Sequence, residues 1–447
     1  MATTKIYSTL SASGADNKKF TFSCWLKRDV LGGTNRILHS TNAGTTFQYL
    51  MFNTSDQLTT YNQYSGSSGG ELTTTRKFRD VGAWYNLVWI WDTANAAAGD
   101  RQQFWINGVR ETDFAGEAQP SLNQAGSVNS GNTTYIGGND ADTQYFSGLM
   151  SHINFTGDQV YSASTFGETD STSGIWKIKT SPSVDYSVNG YFLKMEDSSN
   201  LDLDSSGEGR SFTTAGTLTA TKDNPSNNFC TGNFLDNYYQ QSNFSNGNNT
   251  VEITQPGGNH GYCSSTMGVA AGLWYFEAKP TTGTDRAVGF VDIPQPDSSE
   301  NMGQGGTGST FCFKHNGQSK QGGSSSAYGS AYSTDDIIGV YLDLTANKAY
   351  FSINGTLQNS GTGLSITAAD STTTGYYKPG ADSTNGSDTT WQFNFGNGTF
   401  GTTLVSSAVA DAGGEGQFEY DPSAGTFDGS SKDFRAICTK NIKAYGG

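Results

Sequence analysis

Short runs of Val, Ile, Phe, Tyr and Trp alternate with polar residues along this chain and end in clusters of Gly, Asn, Asp and Ser. That is the pattern of β-strands closed by turns. In residues 20–26 (FTFSCWL) the alternation puts Phe20, Phe22, Cys24 and Leu26 on one face. Residues 84–91 (WYNLVWIW) and 103–106 (QFWI) follow, and the second runs into Asn107-Gly108, which predicts a hairpin because a type I′ turn needs positive φ at both central positions. Residues 135–138 (YIGG) and 149–155 (LMSHINF) complete a first set of strands.

A second set starts beyond the polar stretch 196–209 (EDSSNLDLDSSGEG), which has the composition of a linker. Residues 273–278 (LWYFEA), 287–292 (AVGFVD), 337–344 (IIGVYLDL) and 349–353 (AYFSI) read as strands, and Asn354-Gly355 closes another hairpin. In residues 391–395 (WQFNF) Trp391, Phe393 and Phe395 share a side. No capped helix of three turns stands out. The prediction is an all-β protein with two antiparallel, jelly-roll-like β-sandwich domains joined by an irregular polar segment.

Composition narrows the class. At 447 residues the length alone suggests about three units of ~150 residues, or two larger sandwiches. Only 15% of residues are charged, yet 26 Phe, 22 Tyr and 8 Trp supply surface to bury, so the chain is folded and loop-rich rather than disordered. A net charge of −15 opposes attachment to a phosphate backbone and excludes nucleic acid as an expected partner. The first residues carry no apolar leader and no run of eighteen apolar residues occurs, so neither a signal peptide nor membrane insertion is expected. Cys24, Cys230, Cys263, Cys312 and Cys438 are scattered and odd in number, which points to buried free thiols and synthesis in a reducing cytoplasm.

The segments FTFSCWLK, WYNLVWIWD, QFWINGV, YIGG and FSGLMSHINF resemble, in order and spacing, the laminin-G or concanavalin A-like lectin sandwich. LWYFEAK, AVGFVD, IGVYLDLTANKAYFSINGTL and WQFNFGNGTF resemble the SPRY sandwich. VYSASTFGETDSTSGIWKIK, YFLKMEDSSNLDLDSS and FRAICTKNI resemble segments of structural proteins of marine bacteriophages. These resemblances imply an N-terminal arm at 1–18, a lectin-like sandwich at 19–158, a connecting segment at 159–228, a SPRY-like sandwich at 229–400, and a C-terminal segment at 401–447 that returns to the sandwich. They also imply a place on the virion surface after synthesis in the host cytoplasm, with other virion proteins as partners.

Candidate chemistry is sparse. Lectin-like folds are shared with glycan-cleaving enzymes that use a carboxylate pair, but the E-x-D-x-x-E strand motif is missing, and Glu168 and Asp170 sit in a turn-like GETDSTSG. Gly66, Ser68 and Gly70 match G-x-S-x-G without a strand-to-helix elbow, and Gly303, Gly305 and Gly308 match G-x-G-x-x-G before a strand rather than a helix. His39, His152, His260 and His315 lack zinc spacing. Asp202, Asp204, Ser206 and Gly207 copy the start of a calcium loop, but its twelfth position is Thr213 rather than Glu, so the segment reads first as an acidic linker and second as a calcium site. By resemblance to lectin-like modules, Asp92 is a further candidate calcium ligand.

Aromatic residues within Gly- and Ser-rich stretches form the strongest ligand signal: Tyr61 and Tyr64, Tyr328 and Tyr332, and Tyr376 and Tyr377. A ring with a polar tip among adaptable neighbours suits recognition. The expected function is therefore non-enzymatic: a tail-associated or capsid-decorating virion protein that assembles through protein contacts, as a homo-oligomer, and attaches to host-surface glycans. A glycan-active enzyme and a cell-surface adhesin are the alternatives.

Overall fold

The computed structural model describes residues 3–11, 15–42, 44–236, 242–254, 260–293, 300–305, 308–384 and 388–446. The chain divides into two compact units, Met1–Ala220 and Thr221–Gly447. Each is built around a pair of packed β-sheets.

Unit 1 contains β1 (Lys5–Thr9), β2 (Lys19–Arg28), β3 (Asn35–Asn42), β4 (Thr46–Phe52), β5 (Gln57–Tyr64), β6 (Ser67–Lys77), β7 (Tyr85–Asp92), β8 (Gln102–Ile106), β9 (Val109–Arg110), β10 (Phe114–Ala118), β11 (Thr133–Ile136), β12 (Gly148–Gly157), β13 (Gly167–Thr169), β14 (Trp176–Ile178), β15 (Tyr191–Leu193) and β16 (Thr213–Ala215). Eight strands form one sheet in the order β10-β6-β5-β4-β3-β11-β1-β16, and six form the other as β15-β12-β2-β7-β8-β9. The alternation seen in the sequence builds the core between them. On β2, Phe20, Phe22 and Cys24 sit opposite Trp91, Trp89 and Leu87 of β7, and all of these are buried. The larger sheet contributes an in-register inner row, Ile6, Ile136, Leu38, Leu50, Thr60 and Leu72.

The outer face of the smaller sheet is apolar too, and the chain covers it. Val88 and Ile90 of β7 cluster with Ala163 and Phe166, and Trp105, Tyr161, Trp176 and Val184 pack against them. Trp176 lies over the predicted Asn107-Gly108 turn, where φ is 48° and 77° and a Cβ on Gly108 would come within 2.3 Å of the indole.

Three expected boundaries are therefore corrected. The expected arm at 1–18 holds a sheet strand instead, because β1 pairs with both β11 and β16 inside the larger sheet. Residues 159–220 do not connect two domains but complete unit 1 by covering one sheet and supplying β13 to β16. The polar stretch 196–209 is no linker either. Asp204 accepts hydrogen bonds from the backbone N–H groups of Phe192, Ser206 and Arg210 and from the Ser206 hydroxyl, which folds the stretch into a tied turn.

Unit 2 contains β17 (Asn243–Ser245), β18 (Thr250–Ile253), β19 (Gly261–Ser264), β20 (Leu273–Pro280), β21 (Arg286–Val291), β22 (Phe311–Lys314), β23 (Gln318–Gln321), β24 (Ser324–Ala327), β25 (Ile338–Asp343), β26 (Lys348–Ile353), β27 (Thr356–Leu357), β28 (Leu364–Ser365), β29 (Lys378–Ser383) and β30 (Thr389–Asn394). One sheet runs β17-β18-β30-β20-β25-β26-β27, and the other runs β19-β29-β21-β22-β23-β24. On β20, Trp274, Phe276 and Ala278 point into the core between the sheets. Tyr275 and Glu277, at the alternate positions, belong to the opposite face.

The segment beyond residue 400 covers that face. Phe418, Phe427 and Phe434 pack on the in-register row Tyr275, Tyr341 and Tyr350, Arg435–Ala436 pairs in parallel with β20, and a short helix, α1 (Thr439–Tyr445), follows. Glu277 clamps the arrangement. Its buried carboxylate accepts from the Tyr275 hydroxyl at 3.2 Å, Asn394 Nδ2 at 3.0 Å, and the backbone N–H groups of Glu419 at 3.0 Å and Tyr420 at 2.8 Å. Burial nevertheless pushes its pKa up to about 7.

Two outcomes follow from these contacts. Glu277→Gln sets an amide NH2 among groups that are themselves donors, so unit 2 should lose about 2–3 kcal/mol, read as an earlier transition in urea and as protease cuts appearing first beyond residue 400. A fragment ending at residue 220 should fold alone, whereas one ending at 195, lacking Asp204 and β16, should not; circular dichroism of the two fragments decides this.

Candidate functional site

The larger sheet of unit 1 is unusual on the side facing away from the core. Offset by one residue from the inner apolar row, Tyr7, Tyr135, His39, Tyr49 and Tyr61 stand opposite one another on β1, β11, β3, β4 and β5, and Glu71 of β6 comes next. At the usual strand spacing the five rings span about 20 Å. Neighbouring centroids are close: 5.4 Å for Tyr7 and Tyr135, 6.2 Å for Tyr135 and His39, and 6.0 Å for Tyr49 and Tyr61. Phe47 joins the far end, 6.2 Å from Tyr49 and 5.8 Å from Tyr61.

Basic groups sit on the rings. The Arg36 guanidinium lies 3.5 Å from the Tyr49 centroid and Lys5 Nζ lies 4.8 Å from that of Tyr135. These groups also anchor a loop over one end of the row: Arg36 Nε donates to Gln144 Oε1 at 2.8 Å, Lys5 pairs with Asp142 at 2.6 Å, and His39 Nδ1 lies 3.6 Å from Asp140. Tyr7, Tyr49, Tyr61, Tyr135 and Phe47 are each half-buried, and no apolar cluster covers them among the described residues. Flanking positions are polar, with Thr9, Thr133 and Thr41 on one side and Thr59 and Thr73 on the other. Burial, reinforced by the Arg36 charge, pushes the His39 pKa down to about 4, so the imidazole in the row is neutral at ordinary pH.

Of the tyrosines singled out in the sequence, Tyr61 belongs to this row, but on a strand rather than in a loop. The QYSGSSGG stretch is a hairpin between β5 and β6 that turns at Ser65 and Gly66, with φ of 49° and 81°. Tyr64 stands at its end, 3.5 Å from Asn17 Nδ2. Tyr328, Tyr332 and Tyr377 are corrected: all three are core residues of unit 2, at 5%, 4% and 0% exposure. Their hydroxyls reach backbone oxygens of Thr362, Arg286 and Thr367, which removes the cost of burying them. Tyr376 remains exposed and lies over Gly268.

The calcium candidates do not converge. Asp204 is consumed by the turn described above, Asp202 accepts from the Thr214 hydroxyl at 2.6 Å, and Asp92 ends β7 opposite Lys19. Among the described residues no group of three metal-ligating side chains occurs. Asp170 is likewise a turn residue. Lys177 and the donors of Ser173 and Thr172 hold its carboxyl well below the usual range, which unsuits it to act as a general acid.

The nearest approach to a catalytic relay is on β12. His152, at φ 49° in a bulge, takes a 2.7 Å hydrogen bond between its Nδ1 and Ser151 Oγ, and its Nε2 lies 3.5 Å from Glu196. Ser151 and His152 are 7% and 5% exposed, and burial pushes the His152 pKa down to about 4. The bulge thus buries a neutral hydrogen-bonded pair.

Comparison with known proteins fits this architecture. Residues 2–163 match the family model of the concanavalin A-like lectin/glucanases superfamily, and residues 273–396 match that of the SPRY domain. No curated protein matches the sequence. Solved structures similar to the chain include the SPRY domain of human HERC1, at 16% identity over 32% of this chain and 86% of that one with a TM-score of 0.27. The TRIM65 PSpry domain is similar at 16% identity over 37% and 91%, with a TM-score of 0.28. A SAP-like pentraxin from Limulus polyphemus is similar at 15% identity over 34% and 75%, with a TM-score of 0.24. The chain thus carries a concanavalin A-like domain followed by a SPRY domain, a pairing that suggests a binding or adhesin-type role.

The buried histidines set a pH dependence. His39 and His152 have folded-state pKa values of about 4 against an unfolded value near 6.5. The unfolded chain therefore binds more protons between those limits, and their contribution is intact above pH 6.5 and lost as pH falls towards 4. Between pH 7 and pH 5 unit 1 should lose up to ~2 kcal/mol per histidine, measured by urea unfolding at the two pH values. His152→Gln should reduce the loss.

Proposed function

We propose that this chain is a non-enzymatic structural protein of a phage particle, tail-associated or capsid-decorating, whose unit 1 binds host-surface glycans along the aromatic row on its larger sheet. The observation that carries the binding role is that row. Five ring residues occupy one register line on an outward sheet face, four half-buried tyrosines and the buried His39, and threonines flank them. In unit 2 the comparable row, Tyr275, Tyr341 and Tyr350, is sealed to 0–1% exposure by the C-terminal phenylalanines. A glycan chain offers what the open row can take, namely alternating C–H surface and hydroxyls, and it demands little formal charge from the protein. The place on a particle rests on the resemblance of residues 160–179, 191–206 and 434–442 to segments of marine phage structural proteins. In that setting unit 2 contacts neighbouring virion proteins.

A shallow row binds weakly by itself, so function would depend on repetition. Linked copies raise avidity ~10² to 10⁴-fold without any new contact, which fits a homo-oligomer or many copies on a symmetric shell. On a glycan array, a multivalent display of the chain should retain extended neutral polysaccharide. Tyr49→Ala and Tyr61→Ala should each weaken retention about tenfold, equivalent to ~1.4 kcal/mol. Retention unchanged in the double variant would remove the row from the binding site, and no retention of any glycan by the display would leave a purely structural role.

A further inference from the structure

In unit 2, three side chains able to react with one another line a single small pocket: Lys320 on β23, Asn301 in the segment preceding β22, and Asp382 on β29. Lys320 is only 8% exposed. Its Nζ touches Asn301 Oδ1 and lies 2.6 Å from Gln304 Oε1, so among the described residues its hydrogen-bond partners are neutral amides. Asp382 is 1% exposed. Its Oδ2 accepts the backbone N–H of Met302 at 3.1 Å, while its Oδ1 is buried without a hydrogen-bond partner. Met302 follows Asn301 directly, so that hydrogen bond fastens the segment carrying Asn301 to β29, and both side chains line the same pocket. Met302, Cys312 and Ala287 give the pocket an apolar wall.

Burial acts on the two titratable groups in opposite senses. It pushes the Asp382 carboxyl up to about 7 and the Lys320 ammonium down from its ordinary value. Burial thus disfavours the charged form of each group, the ammonium that faces the Asn301 amide and the carboxylate that lines the same pocket.

We propose that Lys320 and Asn301 join in an intramolecular isopeptide bond, with Asp382 as the proton shuttle. Nζ, as the free amine, attacks Cγ of Asn301 and forms the new C–N bond. Asp382 gives its proton to the departing Nδ2 and takes up the proton released by Nζ, ending as it began. The Cγ–Nδ2 bond breaks and ammonia leaves. One amide is exchanged for another, so the step needs neither oxidant nor cofactor. The product pins the segment around residues 300–305 to β23, a covalent staple in a chain whose five cysteines are all free and buried.

The test is the mass of the intact full-length chain. We expect it about 17 Da, one ammonia, below the sequence mass, and a proteolytic digest should yield a branched peptide joining Asn301 to Lys320. Lys320→Arg keeps the cation but should restore the full mass, and Asp382→Ala should do the same while circular dichroism stays unchanged. Succinimide formation at an Asn-Gly site loses the same mass, so a deficit that survives in Lys320→Arg would overturn the proposal. Full sequence mass in the folded wild-type chain, or a branch at Gln304, would overturn it equally. If Asp382→Ala fails to fold, the wild-type mass, the branched peptide and Lys320→Arg still decide.

Discussion

A β-sheet has two faces, and a sandwich buries only one face of each of its sheets. In this protein most of what lies outside the sandwiches answers that constraint. Residues 159–184 cover the outer face of the smaller sheet of unit 1 around Val88 and Ile90. The stretch beyond residue 400 covers the outer tyrosines of unit 2 with Phe418, Phe427 and Phe434. Among the described residues the aromatic row of the larger unit 1 sheet has no such apolar cover, and the loop of residues 139–145 that reaches it is held by Lys5, Arg36 and His39 rather than by apolar packing. The distinction between covered and open faces is what turns a common packing feature into a candidate binding surface.

Covering a sheet with irregular chain creates buried backbone N–H groups that need acceptors. Carboxylates supply them. Glu277 receives Glu419 and Tyr420, Asp411 receives Gly416 and Ala436 together with the Asn441 amide, and Asp204 receives Phe192, Ser206 and Arg210. In a chain where charged residues are only 15% of the total, several acids thus act as fasteners between loop and sheet. That role accounts for acidic residues which, viewed as spacing alone, resemble metal ligands.

Much of the sheet framework is legible in the sequence because alternation survives wherever one face is core. FTFSCWL, LWYFEA and WQFNF became β2, β20 and β30, and both Asn-Gly hairpins turned where predicted. The covering segments are not legible, since their order comes from partners distant in sequence: nothing local in GIWKIK reveals that Trp176 lies on Gly108. The aromatic row fell between these cases. Tyr49 in TFQYLMF and Tyr135 in TTYI occupy positions where a wetted strand ordinarily carries Thr or Lys, and that substitution was a readable signal. Their assembly into one line depends on the register of five strands, which a single sequence does not display. Glycine- and serine-rich composition misled in the opposite direction, because Tyr328, Tyr332 and Tyr377 sit in such stretches yet fill the core.

The parallel pairing of Arg435–Ala436 with β20 also bears on how the protein is made. β20 is an inner strand, and one of its neighbours lies some 160 residues later in the chain. Unit 1 closes its own circuit when β16 reaches back to β1, so it can mature while synthesis continues. Unit 2 cannot, since its tyrosine face and the Glu277 carboxylate wait for residues 418–436 to leave the ribosome. During that interval it exposes an aromatic sheet face, which makes translation of the second half the period in which the nascent chain depends most on chaperones.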